Sequence, residues 1–170
     1  MGDTSDMTAR QSKLDELDLK ILSLLQEHGR MTNVELARRV GISAPPCLRR
    51  MRALEDAHFI RGYHAEVSPE ALNFSVTVFA MIGLSSQSEV DLSAFEARVS
   101  EWPLVRECYM LTGEADYMLK VVAHDWDEYQ NFVTCELTAT PNVLHIKTAM
   151  TLRVSKNLPG IPIISDTDDP

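Results

Sequence analysis

The first third of the chain has apolar residues at helical spacing in three consecutive segments. Between Leu14 and Leu25 they recur every three or four positions, which predicts the first helix. Thr32 and Glu35 then match the T-x-x-E pattern of a capping box, in which each side chain accepts a hydrogen bond from the backbone of the other. We expect the second helix to be short, because Gly41 suits a left-handed C-cap.

The third segment carries cations on the side that its apolar residues leave free. Ser43 is the expected N-cap, the first turn tolerates two prolines, and the helix should run to about Ala57. Arg49 points away from the apolar face, and Arg50 and Arg52 flank it. Two helices joined by a Gly-containing turn, the second with outward arginines, predict a helix-turn-helix whose recognition helix enters the major groove of DNA.

Beyond Ser68-Pro69, where proline favours a boundary, the pattern changes. The predicted strands are 75–84, 105–111, 117–123 and 143–154, and the predicted helices are 90–102 and 126–137. The order β-α-β-β-α-β predicts a ferredoxin-like domain, an antiparallel sheet with both helices on one face. The predicted fold class is therefore α+β, with an N-terminal three-helix helix-turn-helix domain.

The predicted sheet has bulky apolar residues on its strands that two helices alone do not explain. These residues, on alternating faces, are Phe79, Met81, Met110, Met118, Ile146 and Met150. We expect a second copy of the chain to pack on the sheet and form a homodimer.

Four segments follow from these patterns. They are a flexible N-terminal arm (1–13), the helix-turn-helix domain with a linker strand (14–67), the ferredoxin-like domain (68–156) and a flexible acidic tail (157–170).

The charge of the chain is unevenly distributed. The formal net charge is −9, which at first argues against a nucleic-acid partner, because DNA binding places cations against phosphates. Residues 1–67, however, carry ten Lys or Arg against ten Asp or Glu, whereas 68–170 carry six against fifteen. Six arginines between positions 38 and 61 accompany only two acids. A basic patch therefore lies on a neutral domain that is joined to an acidic one.

The residue inventory disfavours several function classes. Without a long apolar run or a signal peptide, we expect a cytoplasmic protein with no membrane partner. The three cysteines and five histidines lack metal-ligand spacing, so we expect buried free thiols, no metal and no cofactor. No nucleophile–base pair or phosphate-binding glycine loop is recognisable, and we do not expect an enzyme.

Two segments are similar to a known family. Residues 14–65, which contain VELARRVGISAPPCLRRMRALE, closely resemble the N-terminal domain of the Lrp/AsnC (feast/famine) regulators. The C-terminal part is similar to their ligand-sensing domain, most visibly in LVRECYMLTGEADYMLKV (104–121) and the PNV beginning at Pro141. The resemblance implies a transcriptional regulator with a winged helix-turn-helix, and a domain (68–156) for effector binding and oligomerisation. It also implies a homodimer, often assembled into tetramers, octamers or discs, whose assembly or DNA affinity responds to a small amino acid.

Candidate residues for double-stranded DNA lie on the second and third helices. We assign base edges to Arg49 and to the helix start, which is Ser43, Ala44, Pro45 and Pro46. We assign mainly phosphates to Arg38, Arg39, Arg50 and Arg52.

The resemblance places the amino-acid effector between Leu111 and Tyr117. The residues are Leu111, Thr112, Gly113, Glu114, Ala115, Asp116 and Tyr117, with Thr148, Ala149 and Met150 contributing from nearby. Gly113 allows exposed backbone N–H groups to hold a carboxylate, and Asp116 offers an anion to an α-ammonium group. The family loop commonly has an aromatic residue where Ala115 stands, which leaves the identity of the amino acid open.

The residues leave three alternatives open. In the first, Gly113 and Asp116 only turn and cap a β-hairpin. In the second, the protein is a ligand-independent architectural DNA-binding protein that uses its C-terminal domain only for assembly. In the third, Arg38, Arg39 and Arg52 only form solvated surface pairs with Glu35, Glu55 and Asp56.

Overall fold

The structure, a computed structural model, describes residues 14–163. The chain divides into two compact units: the first contains the residues up to Glu66 and those from Asn157 onward, and the second is Val67–Lys156. The predicted flexible arm, 1–13, lies outside the described residues, as do positions 164–170 of the predicted tail. No helix within the described range is long and apolar enough to cross a bilayer.

The first unit contains the three predicted helices. They are α1 (Glu16–Glu27), α2 (Asn33–Val40) and α3 (Ala44–Asp56). Their apolar faces meet in one core, built from Ile21, Leu25, Leu36, Ala37, Val40, Cys47 and Leu54. The arrangement is a helix-turn-helix, as the periodicity predicted.

The helix ends agree with the sequence in part. Gly41 has φ +91°, the left-handed C-cap predicted for α2. Thr32 Oγ1 accepts a hydrogen bond from the Glu35 N–H at 3.3 Å, but the Glu35 carboxylate is paired with arginines, so only half of the predicted capping box forms. Ser43 stands at the N-cap of α3 as predicted, but its hydroxyl makes no capping hydrogen bond.

The predicted linker strand does not form. The described residues from 61 to 68 pair with no strand, because an extended segment becomes part of a sheet only where a neighbouring strand accepts its hydrogen bonds. A single 3₁₀ turn, Glu70–Leu72, then leads into the second unit.

The second unit is a four-stranded antiparallel sheet with two helices. Its elements are β1 (Val76–Leu84), α4 (Glu89–Ser100), β2 (Val105–Met110), β3 (Tyr117–Ala123), α5 (Trp126–Phe132) with a π-helical turn (Val133–Leu137), and β4 (Val143–Met150). The strand order is β2-β3-β1-β4, which is the ferredoxin-like arrangement. β4 ends at Met150 rather than at the predicted 154, because β1 begins at Val76 and leaves residues after Thr151 without a partner.

The two faces of this sheet differ. On the helix-covered face, pairs such as Ala80 with Leu119 and Val78 with Val121 are fully buried. Directly paired residues point to the same face, so Met81 and Met118 share the other face, which we call the open face. The other open-face residues at the centre of the sheet are Phe79, Tyr109, Lys120 and Ala149. The sequence could not separate the apolar strand residues by face: Met110, Ile146 and Met150 pair with residues of the covered face.

The chain returns to the first unit after the sheet. The Gln26 carboxamide donates to the Ile161 carbonyl at 2.6 Å and accepts from the Ile161 N–H at 3.0 Å. Gly160 has φ +71°, a conformation that favours glycine, and a Cβ there would lie 2.1 Å from the Gln26 side chain, which would have to move. The flexibility predicted for 157–170 stays a prediction.

Candidate nucleic-acid interface and ligand loop

The outer surface of α3 carries two exposed arginines. Arg49 and Arg52 are exposed, and neither forms a salt bridge with any residue between 14 and 163. Ser43 and Pro45, at the start of the same helix, are also exposed, whereas Ala44 and Pro46 are half-buried. Of the predicted base-contacting residues, Ser43, Pro45 and Arg49 are therefore exposed and accessible to a duplex.

Asn33 holds the start of α3 against α2. Its Nδ2 donates a hydrogen bond to the Ala44 carbonyl oxygen at 2.9 Å, across the turn of the helix-turn-helix. The bond joins the first residue of α2 to the first residue of α3, and it therefore fixes where the recognition helix begins.

Arg38 and Arg39 share one carboxylate. Arg38 donates two hydrogen bonds to Glu35, at 3.0 and 2.8 Å, and Arg39 donates one at 2.8 Å. The two guanidinium groups lower the pKa of Glu35 to about 2, Arg38 contributing the larger part. The Arg38 side chain is 72% exposed, so the cluster remains open to solvent. Pairing with Glu35 was the plainer alternative for these arginines, and it leaves part of their charge neutralised.

Arg50 differs from the other arginines. Its Nη1 lies 2.8 Å from Asp15 Oδ2 and 2.7 Å from Asp18 Oδ1, and its side chain is 31% exposed. The hydrogen bonds that Arg50 donates to Asp18 and then to Asp15 raise the pKa of Arg50. A guanidinium that is already paired with two carboxylates within its own domain is poorly placed to bind a phosphate of DNA. The structure thus argues against the predicted phosphate contact of Arg50.

Asp116 anchors the loop between β2 and β3. Its Oδ2 accepts the Leu84 N–H at 2.6 Å and its Oδ1 accepts the Gln87 side-chain amide at 2.6 Å, while its own N–H donates to the Ile82 carbonyl. The loop is therefore tied to the end of β1. This is a structural role of the kind that the hairpin alternative describes, although each carboxylate oxygen retains a second lone pair for a ligand.

The tip of the loop is open. Thr112, Gly113 and Glu114 are exposed, and Gly113 has φ +133°, a conformation that favours glycine. The Glu114 carboxylate lies 3.5 Å from Lys147 Nζ and its side chain is 93% exposed. Ala115 is half-buried beside this tip. The loop therefore presents backbone N–H groups together with charges of both signs.

Some predicted effector residues lie elsewhere. Tyr117 is fully buried in the core, with its ring 4.8 Å from that of Phe95, and its contact with an effector stays a prediction. The Thr148 hydroxyl is bonded to the Tyr129 hydroxyl at 2.8 Å. The loop meets β1 at Ile82, whereas Thr148 pairs with Ala80, so residues 148–150 run away from the loop along β4. One chain does not gather all ten predicted residues, of which Leu111 is half-buried and Met150 exposed.

Sequence reasoning missed the residues that hold these sites in place. Gln87 and Lys147 beside the loop, and Asn33 beside α3, carry no motif, because their partners are distant in sequence. Asp15 and Asp18 are spaced as a capping pair, which was a usable signal for a helix start but not for the pairing with Arg50. No three His, Cys, Asp or Glu side chains group as metal ligands between residues 14 and 163.

Comparison with known proteins gives matches over both units. Residues 14–61 match the family model described as winged helix-turn-helix DNA-binding, and 77–161 match the Lrp/AsnC ligand binding domain.

Relatives align with nearly their whole length. A leucine-responsive regulatory protein of Rhizobium meliloti (strain 1021) is 53% identical over 145 residues, 85% of this chain and 93% of that protein. The Bkd operon transcriptional regulator of Pseudomonas aeruginosa is 44% identical, covering 84% and 93%. The crystal structure of a transcriptional regulator from Neisseria meningitidis in complex with L-Met superposes with a TM-score of 0.85 at 39% identity, covering 88% of this chain and 97% of that one.

Proposed function

The chain belongs to the Lrp/AsnC family of DNA-binding transcriptional regulators, and from this premise we propose how its residues read DNA and sense an amino acid. It is a transcriptional regulator with a helix-turn-helix unit and an amino-acid ligand-binding domain. Its relatives are regulators, and the chain is not an enzyme. The finer assignments below concern residues, effector and assembly, and we place the protein in the cytoplasm.

DNA recognition is assigned to the exposed side of α3. Arg49 and the residues Ser43–Pro46 contact base edges in the major groove, and Arg52 contacts a phosphate. Arg38 and Arg39 contact phosphates when the phosphates compete with the Glu35 carboxylate for the two guanidinium groups. The observation that carries this proposal is the pair of exposed arginines on α3, Arg49 and Arg52, without acidic partners among the described residues.

The proposed effector is a neutral, apolar amino acid held by the loop 111–117. Backbone N–H groups near Gly113 bind its carboxylate, and Asp116 or Glu114 binds its ammonium group. Two relatives support an apolar side chain: one is named leucine-responsive, and another was solved with L-Met. Residues 148–150 lie away from the loop in one chain, so we propose that a neighbouring chain completes the site.

Self-association is proposed through the open face. Phe79, Met81 and Met118 form its apolar centre, and the Lys120–Glu107 pair at 2.8 Å lies beside them. A second copy that buries this centre removes apolar surface from water. Homodimers, and higher assemblies such as an octamer, would bring loops and β4 strands of different chains together.

Thermal unfolding with each of the twenty amino acids tests the sensing role. An effector at about 100 times its dissociation constant should add roughly 2.7 kcal/mol to the stability of the folded protein. We expect this with leucine or methionine and not with aspartate or lysine. If no amino acid shifts the transition while duplex DNA still binds, the ligand-independent architectural alternative is correct.

A further inference from the structure

We infer that Arg50 is a positioning residue, which holds the recognition helix in the orientation that DNA recognition requires. It does so through its ion pairs with Asp15 and Asp18 at the start of α1, a contact that we call the clamp. The inference rests on the proposed use of α3 in DNA recognition and adds to it. Arg50 then makes a contact inside its own domain in place of a phosphate contact. Asp15 and Asp18 contribute to DNA recognition by holding Arg50 and without contacting DNA themselves.

The clamp uses carboxylates that α1 has already fixed. Asp15 is the N-cap of α1, and it exchanges hydrogen bonds with Asp18 in a capping box. Asp15 Oδ1 accepts the Asp18 N–H at 3.0 Å, and Asp18 Oδ2 accepts the Asp15 N–H at 3.4 Å. The remaining oxygen of each carboxylate accepts from Arg50 Nη1, at 2.8 and 2.7 Å. All four oxygens are thus engaged, and the guanidinium binds two groups that cannot rotate freely.

A second contact, from Asn33, fixes the N-terminal end of α3. Asn33 holds the carbonyl of Ala44, and Arg50 lies six positions further along α3, a rise of about 9 Å. Of the residues proposed for base edges, Pro45, Pro46 and Arg49 lie between these two points, and Ser43 directly precedes the first. The position and rotation of this part of α3 are therefore set by contacts inside the domain, which is the rigidity that base-edge hydrogen bonds require.

The charge around Arg50 also favours the clamp over a phosphate contact. Two carboxylates and one guanidinium give the cluster a net charge of −1, which repels a phosphate. The hydrogen bond from the Asp18 N–H, followed by Arg50, lowers the pKa of Asp15, so this carboxylate stays ionised at neutral pH. Arg52, two positions away, is exposed and without an acidic partner in the described range, and it serves as the matched cation for comparison.

The first test compares R50Q with R52Q. Each variant is titrated, over a range of salt, with a duplex selected from a random-sequence pool and with an unrelated duplex of equal length. R52Q should weaken both duplexes and reduce the salt slope by about 0.9, the loss of one phosphate contact. R50Q should weaken the selected duplex by about tenfold, leave the unrelated duplex nearly unchanged and keep the slope. A reduced slope with R50Q overturns the inference.

The second test removes the acidic partners of Arg50 instead of Arg50 itself. The variants are D18N and D15N, and D15N retains a good N-cap residue. If Arg50 is a clamp, each variant should lower the ratio of selected to unrelated affinity, and D18N should add little in the R50Q background. If Arg50 binds phosphate, removing its acidic competitors should strengthen binding to both duplexes and steepen the slope. Circular dichroism melts identify folded variants, and the comparison uses those. Should the wild-type chain select no duplex, the proposed function itself fails, whatever the variants do.

Discussion

The two units of this protein differ in how completely each covers its own apolar surface. In the helix-turn-helix unit three helices enclose their core, and α3 exposes Arg49 and Arg52, which have no acidic partner among residues 14–163. In the second unit helices cover one face of the sheet, and the open face has an apolar centre around Met81 and Met118. The first unit therefore exposes cations that suit a polyanion, whereas the second exposes an apolar centre, for which we have proposed a second copy of the chain as the partner.

The functional segments also differ in how they are supported. On α3, contacts from Asn33 and Arg50 reach across to neighbouring helices and leave the outer side free. In the ligand loop a single side chain, Asp116, ties the tip to β1. The position of α3 is therefore set by contacts with two other helices, whereas the conformation of the loop depends on few hydrogen bonds.

The largest expected effect comes from a charge on the open face. Met118→Glu should dissociate the proposed dimer, because an unpaired carboxylate at the centre of an interface costs about 4 kcal/mol, roughly a thousandfold in dissociation constant. Sedimentation velocity over a concentration series measures this change. Ala97→Glu on the exposed side of α4 is the control and should leave association intact. Equal dissociation constants for the two variants would show that the open face is not the interface.

An intermediate effect is expected at the anchor of the loop. Asp116→Ala leaves the part-buried Leu84 N–H without its acceptor, which should lower the unfolding free energy by about 2 kcal/mol and weaken amino-acid binding. Gln87→Ala removes only the exposed hydrogen bond to the same carboxylate and should cost well under 1 kcal/mol. Urea unfolding compares them, and similar costs would contradict the anchoring role.

The smallest effect concerns Glu35 and works through charge alone. Glu35→Gln should release Arg38 and Arg39, raising the affinity for any duplex by about threefold, since exposed ion pairs are weak. Fluorescence anisotropy at two salt concentrations measures this gain, which should shrink at high salt. Weaker binding would show that Glu35 orients the arginines for DNA instead of competing with it.

The same carboxylate gives a prediction for acid pH. Its pKa is about 2 in the folded chain, against an ordinary value of 4.5. A lowered pKa means that the unfolded chain binds this proton first, so the contribution of Glu35 to stability is complete above about pH 4.5 and disappears as the pH falls towards 2. Carboxyl NMR titration measures the pKa directly. A value near 4.5 would show that the arginine pairing is absent in solution.

Local patterns predicted most of the fold, because the signals for helices and strands lie within a few residues. Leu14 to Leu25, the Thr32 cap and the Gly41 C-cap carry their own evidence, and the structure confirms them. Burial of Tyr117 was also accessible to sequence, since it shares its strand face with Leu119 and Val121, but its place beside the loop suggested a ligand contact instead.

The supports of both sites were not predictable in the same way. Arg50 is 32 residues from Asp18, and Gln87 is 29 from Asp116, so each pairing depends on how elements pack rather than on spacing. An arginine on a helix flank has the same sequence signature whether it binds a phosphate or an aspartate. Only the position of the first helix decides between them.

The pairing of Gln26 with Ile161 has a consequence for biosynthesis. It joins positions 135 residues apart, and the whole sheet unit is inserted between them. A ribosome that adds about 10 residues per second exposes α1 roughly ten seconds before Ile161 can reach it. The sheet unit can therefore fold on the nascent chain before these hydrogen bonds form. Gln26 can pair with Ile161 only after the whole inserted unit has been translated.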